Sequence, residues 1–172
     1  MQRHFLYILL AVVVVVGFSG CGSTTVPYTY KYERGKSAII SSGGYAIAPK
    51  KAPRAVKAAI AAGNKINGMP YRMGGGHGRH YDSGYDCSGA TSFVLKEAGK
   101  LRGDMPSRAF REYGKKGYGD WMTVYAKEGH VFLVVAGLRF DTGWHQGGAK
   151  GPRWTTKGRP ADGYVVRHPP GL

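Results

Sequence analysis

The stretch 84-GYDCSGATSFVLKEAGKL-101 decides how this chain is built. Asp86 is a good helix cap, because its carboxylate can accept from the unpaired N–H groups of a first turn. Behind it Ala90, Phe93, Val94 and Leu101 recur as an apolar helical stripe, and Gly99 offers a stop. A buried helix opening at Cys87 is the expectation. The only other cysteine in the chain is Cys21. A free cysteine is most often a small buried hydrophobe, but polar neighbours on both sides of Cys87 argue against that. At a helix start, unpaired N–H groups and the macrodipole favour a thiolate and form a site for a developing oxyanion. The glycine-rich sequence ahead of Cys87 leaves room for a substrate to reach the sulfur.

Working outward, 53-PRAVKAAIAAGNKI-66 predicts a helix. Pro53 stands at its start, and Val56, Ala59, Ile60 and Gly63 lie on one face. Between the two helices, 68-GMPYRMGGGHGRHYDSG-84 is a loop. Downstream, Ser107 is placed to cap a short helix carrying Phe110 and Tyr113. The period then changes to strand in 121-WMTVYA-126, 130-HVFLVVA-136, 138-LRFDT-142 and residues 163–167. Lys127-Glu128-Gly129 reads as a turn. Helices come first and an antiparallel sheet second, so the class is α+β.

A cysteine nucleophile requires a base. Of six histidines, His130 opens the most apolar strand just after a turn, which suits an imidazole at a sheet edge beside a cleft. A histidine at a strand start is more often structural, and its pairing with a helix-start cysteine is what raises the catalytic reading. The base requires an orienter. If Ala136-Gly137 form a two-residue hairpin turn, residue 132 faces 141, and Asp141 shares a face with His130 one diagonal away. A turn one residue longer would break that parity and leave His145 as the fallback. His77, His80 and Cys87 match no common zinc spacing, and a glycine loop is a poor metal scaffold. The run GGGHG lacks the Lys-Ser/Thr of a phosphate loop. No metal and no cofactor is expected.

At 172 residues the chain has room for one domain plus extras. Two cysteines cannot make a disulfide framework. The formal charge of +15 favours an anionic surface, whether nucleic acid, phospholipid or an acidic cell-wall polymer. It is spread along the chain rather than gathered in one arm, which points away from nucleic acid. The start, 1-MQRHFLYILLAVVVVVGFSGC-21, has a basic end and an apolar run from Phe5 to Phe18. At about 1.5 Å per residue that run spans about 21 Å, short of a hydrocarbon core of about 30 Å, as in an export signal. Ser19-Gly20-Cys21 resembles a bacterial lipobox, although Phe18 stands where an aliphatic residue is usual. The resemblance implies a signal over 1–21, lipidation of Cys21, and a product exported and lipid-anchored to the cell envelope. Residues 22–52, rich in Ser, Thr, Gly, Tyr and Lys, read as a tether with a reach on the order of 30 Å. The patch VPYTYKY within them is open to a second reading, as a strand packed on the domain.

The blocks 70-PYRMGGG-76, 85-YDCSG-89 and 129-GHVFLVV-135, in that order behind an export signal, resemble the NlpC-type cysteine peptidases of bacterial cell walls, compact relatives of the papain fold. The resemblance covers residues 53–142, within a domain placed at 53–172. It implies Cys87 as nucleophile, His130 as base, Asp141 where a third polar residue orients the base, and Tyr71 as the hydroxyl that assists the oxyanion. Two departures stand out: an Asp where His is frequent, and a long interval from Tyr71 to Cys87. The implied reaction is hydrolysis of an amide in peptidoglycan stem peptides, commonly between D-glutamate and a diamino acid. Arg72, Arg79 and Arg108 are candidate carboxylate binders, with a solvated basic surface as the equal alternative. The expected partners are stem peptides and, through the lipid anchor, a membrane; the chain itself is expected to be a monomer. Two rival functions share these features: a non-catalytic peptidoglycan-binding lipoprotein, and an acyltransferase on the same fold.

Overall fold

The computed structural model describes residues 25–78 and 81–172, so the expected export signal over 1–21, Cys21, Arg79 and His80 lie outside the described residues. Two short strands come first, β1 (Ile39–Ile40) and β2 (Ala46–Ile47). The helices α1 (Arg54–Ile66) and α2 (Cys87–Glu97) follow. After a 3-10 turn at Ala109–Glu112 come β3 (Lys115–Lys116), β4 (Met122–Lys127), β5 (His130–Val135), β6 (Leu138–Asp141), β7 (Arg153–Thr155) and β8 (Val165–His168). The last six form one antiparallel sheet in the order β3-β8-β4-β5-β6-β7. The α+β expectation holds, with helices packed on an antiparallel sheet and Cys87 at a helix start.

Both helices follow from local sequence. Pro53 immediately precedes α1, which buries Val56, Ala59, Ile60, Gly63 and Ile66. In α2 every residue from Cys87 to Leu95 is buried, so this helix runs through the middle of the molecule rather than along its surface. Asp86 caps it by accepting from the Gly89 N–H at 2.7 Å. Gly99, at φ 68, ends it. The Gly99 N–H donates to the Lys96 carbonyl and the Lys100 N–H to the Leu95 carbonyl, which is the Schellman arrangement. Leu101 therefore lies beyond the helix. Ser107 does not cap the turn after it; Arg108 holds that place, with no side-chain cap, and the turn carries Phe110 while Tyr113 follows directly after it, both buried.

Within this sheet, β4, β5 and β6 form a pair of tight hairpins. Lys127 pairs with His130 around Glu128-Gly129, and Val135 pairs with Leu138 around Ala136-Gly137. Ala136 (φ 46) and Gly137 (φ 76) both take positive φ, as a two-residue hairpin turn of the type I′ kind requires. Alternate residues of β5 serve two cores. Val131, Leu133 and Val135 join Phe93, Val94 and Ile60 on the helical side. Phe132 joins Tyr28, Tyr125, Ala161 and Tyr164 on the other.

That second core corrects the tether reading. From Thr25 onward the segment lies on the domain. Tyr28 is 3% exposed, pairs by backbone with Arg159, donates its hydroxyl to the Gly137 carbonyl at 3.0 Å and accepts from the Arg139 N–H at 3.1 Å. Burying a ring of this size stabilises by on the order of 2 kcal/mol, enough to fix a segment that has no period of its own. The Ala38 N–H then donates to the Ala136 carbonyl, and Asn64 of α1 brackets Ala46 with two hydrogen bonds. The VPYTYKY patch packs on the domain, held by a bridge at Tyr28 rather than as a regular strand.

Candidate active site

The site starts at the seam between the glycine loop and α2. Asp86 accepts from Gly89 N–H and Ser88 Oγ with one oxygen and from Gly74 N–H with the other, so a single carboxylate ties the loop to the helix start. His77 adds to this knot, with Nε2 at 3.2 Å from both Asp86 and Ser88 Oγ. The loop comes in close because Gly75 crosses Gly89 backbone to backbone; a β-carbon on Gly89 would collide with the Gly75 carbonyl oxygen. Cys87, the first residue of α2, is thus fixed from below by the cap and from the side by the loop. It is nearly buried, at 8% exposed.

Its partner is His130, where the start of β5 meets the start of α2. The Cys87 thiol is near enough to the imidazole to help hold it protonated. His130 Nε2 donates to Asp141 Oδ1 at 2.9 Å, which leaves Nδ1 as the nitrogen for the sulfur. Burial alone would push the imidazole down, but the hydrogen bonds and charges of Asp141 and Cys87 outweigh it and raise His130 to about 9. The parity of the 136–137 turn delivers this pair. With Leu133 opposite Phe140, residue 132 faces Asp141, and His130 is the diagonal neighbour.

Asp141 is fully buried, and burial opposes its ionisation. The His130 hydrogen bond and the positive charges of His130, Arg159 and Arg139 overcome this and hold the carboxyl below the usual range. Arg139 is ion-paired to Asp141 Oδ2, and Arg159 approaches the same oxygen at 3.1 Å. The Thr142 and Gly143 N–H groups donate to Oδ1. Arg139 is 0% exposed and also donates to the carbonyls of Gly143 and Trp144. His145, the fallback, directs Nε2 to the Asp141 backbone carbonyl at 3.0 Å, while Asp141 Oδ1 is the partner of the His130 ring.

Tyr71 is next to Asp86 and Cys87. Its backbone bridges Tyr85, and partial burial, then the charges of Cys87 and Asp86, raise its phenol above the ordinary value. Its hydroxyl donates to the Met73 thioether at 3.8 Å. Of the candidate arginines, Arg72 is spent on Asp82 and Ser83, and Arg108 is an exposed surface residue. The structure brings together Cys87, His130, Asp141 and Tyr71. Sequence reasoning missed Arg139, Arg159 and the role of His77 in the loop. A charged residue inside a strand reads as solvent-facing, and Arg159 joins Asp141 from a distant loop, so no local pattern announces either arginine.

No protein-family model matches the chain, and no curated protein does. Solved structures do. One is an NlpC/P60 family protein from Bacillus cereus, 16% identical with a TM-score of 0.48, covering 66% of this chain and 40% of that one. Another is a hypothetical invasion protein of Mycobacterium tuberculosis, 22% identical with a TM-score of 0.47, covering 68% and 65%. A third is the resuscitation promoting factor interacting protein RipA, in a form mutated at one histidine, 20% identical with a TM-score of 0.47, covering 77% and 70%. The chain thus spans less than half the length of the first and about two thirds of the second. It is to these proteins, an NlpC/P60 member among them, that the chain is similar in structure.

Proposed function

We propose that this chain is a cysteine peptidase that hydrolyses amide bonds in peptidoglycan stem peptides. The single observation that carries the reading is the line Cys87, His130, Asp141, with the His130–Asp141 contact at 2.9 Å and the imidazole held protonated to about pH 9. The three motif blocks and the net charge of +15 agree with an anionic wall polymer as substrate.

In the proposed reaction the Cys87 thiolate attacks the carbonyl carbon of the scissile amide. The tetrahedral oxyanion is met by N–H groups at the start of α2 and by the Tyr71 hydroxyl. As the C–N bond breaks, His130 gives its proton to the leaving amine, and a thioester remains on Cys87. His130, now neutral, takes a proton from water; the hydroxide attacks the thioester, the acid product leaves and the thiolate is restored. Asp141 holds the ring and stabilises its charged form. The bond between D-glutamate and a diamino acid is the proposed point of cleavage. The same reading includes export, with lipidation of Cys21 anchoring the domain at the cell envelope.

Cys87→Ala is expected to abolish release of peptide fragments from purified wall sacculi while leaving the thermal unfolding curve close to the parent's. Undiminished release by that variant would sink the reading. Fragments joined rather than cut would transfer the same chemistry to an acyltransferase.

A further inference from the structure

The ribbon of β1 and β2 has a face that the domain does not use. Ile39 and Ile47 are cross-strand partners, and both are exposed. Their neighbours Ile40 and Ala46 turn into the core on the helical side. With Tyr32 the two isoleucines line an open trough of about 750 Å³, whose other walls carry Arg34, Lys50 and Lys51. The three apolar side chains are between 44% and 62% exposed. Single exposed apolar residues are ordinary, but a set gathered in one trough is the pattern of an interaction surface.

The charge around the trough is of one sign. No Asp or Glu occurs between Glu33 and Asp82, and Glu33 is paired with Lys36 at 3.0 Å. Lys50 and Lys51 lead into α1, which begins at Arg54 and has no acid in its first turn. Cations at that end of a helix oppose its macrodipole, so these residues do not serve the helix they precede. An anion outside the chain would use them.

We infer that this face docks the domain on a bilayer that contains anionic lipid. Arg34, Lys50 and Lys51 meet the headgroup phosphates, and Tyr32, Ile39 and Ile47 enter the boundary with the acyl chains. The inference goes beyond the peptidase reading and does not use it; it takes from the export reading only that a bilayer is within reach. A hydrophilic wall polymer would satisfy the cations and leave the isoleucines in water. A second copy of the chain would cover the isoleucines and set the same three cations against each other. An anionic lipid surface takes both. The placement also suits the site. The Ala38 N–H donates to the carbonyl of Ala136, just past the end of the strand that His130 opens. That strand has six residues, so at about 3.4 Å each this contact is about 20 Å from His130. Docking there leaves Cys87 and His130 clear of the lipid.

The test uses the full chain with vesicles of phosphatidylcholine alone, or with about one third phosphatidylglycerol. Backbone hydrogen exchange is read over residues 38–48. The readout is local, so attachment through the apolar N-terminal run does not by itself produce it. Exchange is expected to slow by about threefold or more on the anionic vesicles relative to the neutral ones. Two variants should each remove most of that slowing: Ile39→Ser with Ile47→Ser, and Arg34→Gln with Lys50→Gln and Lys51→Gln. All five side chains are exposed, and thermal unfolding checks that the fold is kept. Equal exchange on the two vesicles overturns the inference, and that comparison needs no variant. Undiminished slowing in either variant overturns it too. Equal slowing by purified wall sacculi would make the face a polymer site, and slowing that grows with protein concentration without lipid would make it a contact between copies; either result sinks docking on lipid. Cleavage plays no part in the readout. Slowing in a protein that cuts nothing leaves the docking standing while the peptidase reading falls, and cleavage without slowing does the reverse.

Discussion

At the scale of single residues, the site is governed by the charge kept on His130. Its value of about 9 lies above the ordinary value of 6.5, so the native fold favours the imidazolium. The sign follows directly. This contribution to stability is fully present below about pH 6.5 and is lost as pH rises through about 9. The same group is the proposed acid for the leaving amine, so the alkaline limb of kcat/KM should fall at about pH 9. Asp141→Asn keeps the shape of the orienter and removes the charge that opposes burial. The limb should then move down toward pH 6.5 or below, with kcat/KM at neutral pH lower by about 100-fold. An unmoved limb in the Asp141→Asn variant would show that another group sets it. Asp141 can carry this role in a dry interior because two guanidinium groups and two backbone N–H groups surround it. A buried carboxylate with fewer partners would take up a proton instead.

At the scale of elements, what could be read in advance depended on whether the cause was local. The cap at Asp86, the stop at Gly99 and the stripe of α2 are local, and they stand where the residues put them. The pairing of His130 with Asp141 was legible too, because a two-residue turn fixes parity across a hairpin and Ala136-Gly137 supplies one. Strand β7 was not legible. Its three residues follow Gly151 and Pro152, and its status comes from pairing with β6 and from Trp154 packing on Phe140. The crossing of the glycine loop with α2 lies between these cases. Glycines in YRMGGG suggest a close approach, but the residue they approach is given only by the fold. It is Gly89, buried against the Gly75 carbonyl. Gly89→Ala should therefore cost about 3 kcal/mol or more in urea denaturation, since backbone on both sides must move. Gly103→Ala, where a β-carbon meets nothing within 4 Å, is the control and should change little. Equal effects of the two would mean that the loop yields.

At the scale of the molecule, the segment from Thr25 onward belongs to the domain that carries Cys87, His130 and Asp141, and this bears on how an exported chain would be held at a surface. If residues 22–52 were a tether, the Cys87–His130–Asp141 line would be insulated from whatever pulls on the N-terminus. Instead Tyr28 closes the outer core and accepts from the backbone N–H of Arg139, whose guanidinium is ion-paired to Asp141. The segment was unreadable as structure because its order comes from a distant strand end and the bridge to Arg159, with no period to betray it. The physical consequence is measurable in one atom. Tyr28→Phe keeps the buried ring and deletes the hydroxyl, leaving the Gly137 carbonyl and the Arg139 N–H without it. Each lost hydrogen bond is worth about 1 kcal/mol net, and a stranded buried group costs more, so the expected destabilisation is about 2–3 kcal/mol in urea unfolding. A chain beginning at residue 39 should be less stable than Tyr28→Phe, because it also uncovers Phe132 and Tyr125. If Tyr28→Phe unfolds at the parent's midpoint, the segment lies on the domain without supporting it, and the sheet that carries His130 and Asp141 stands on its own.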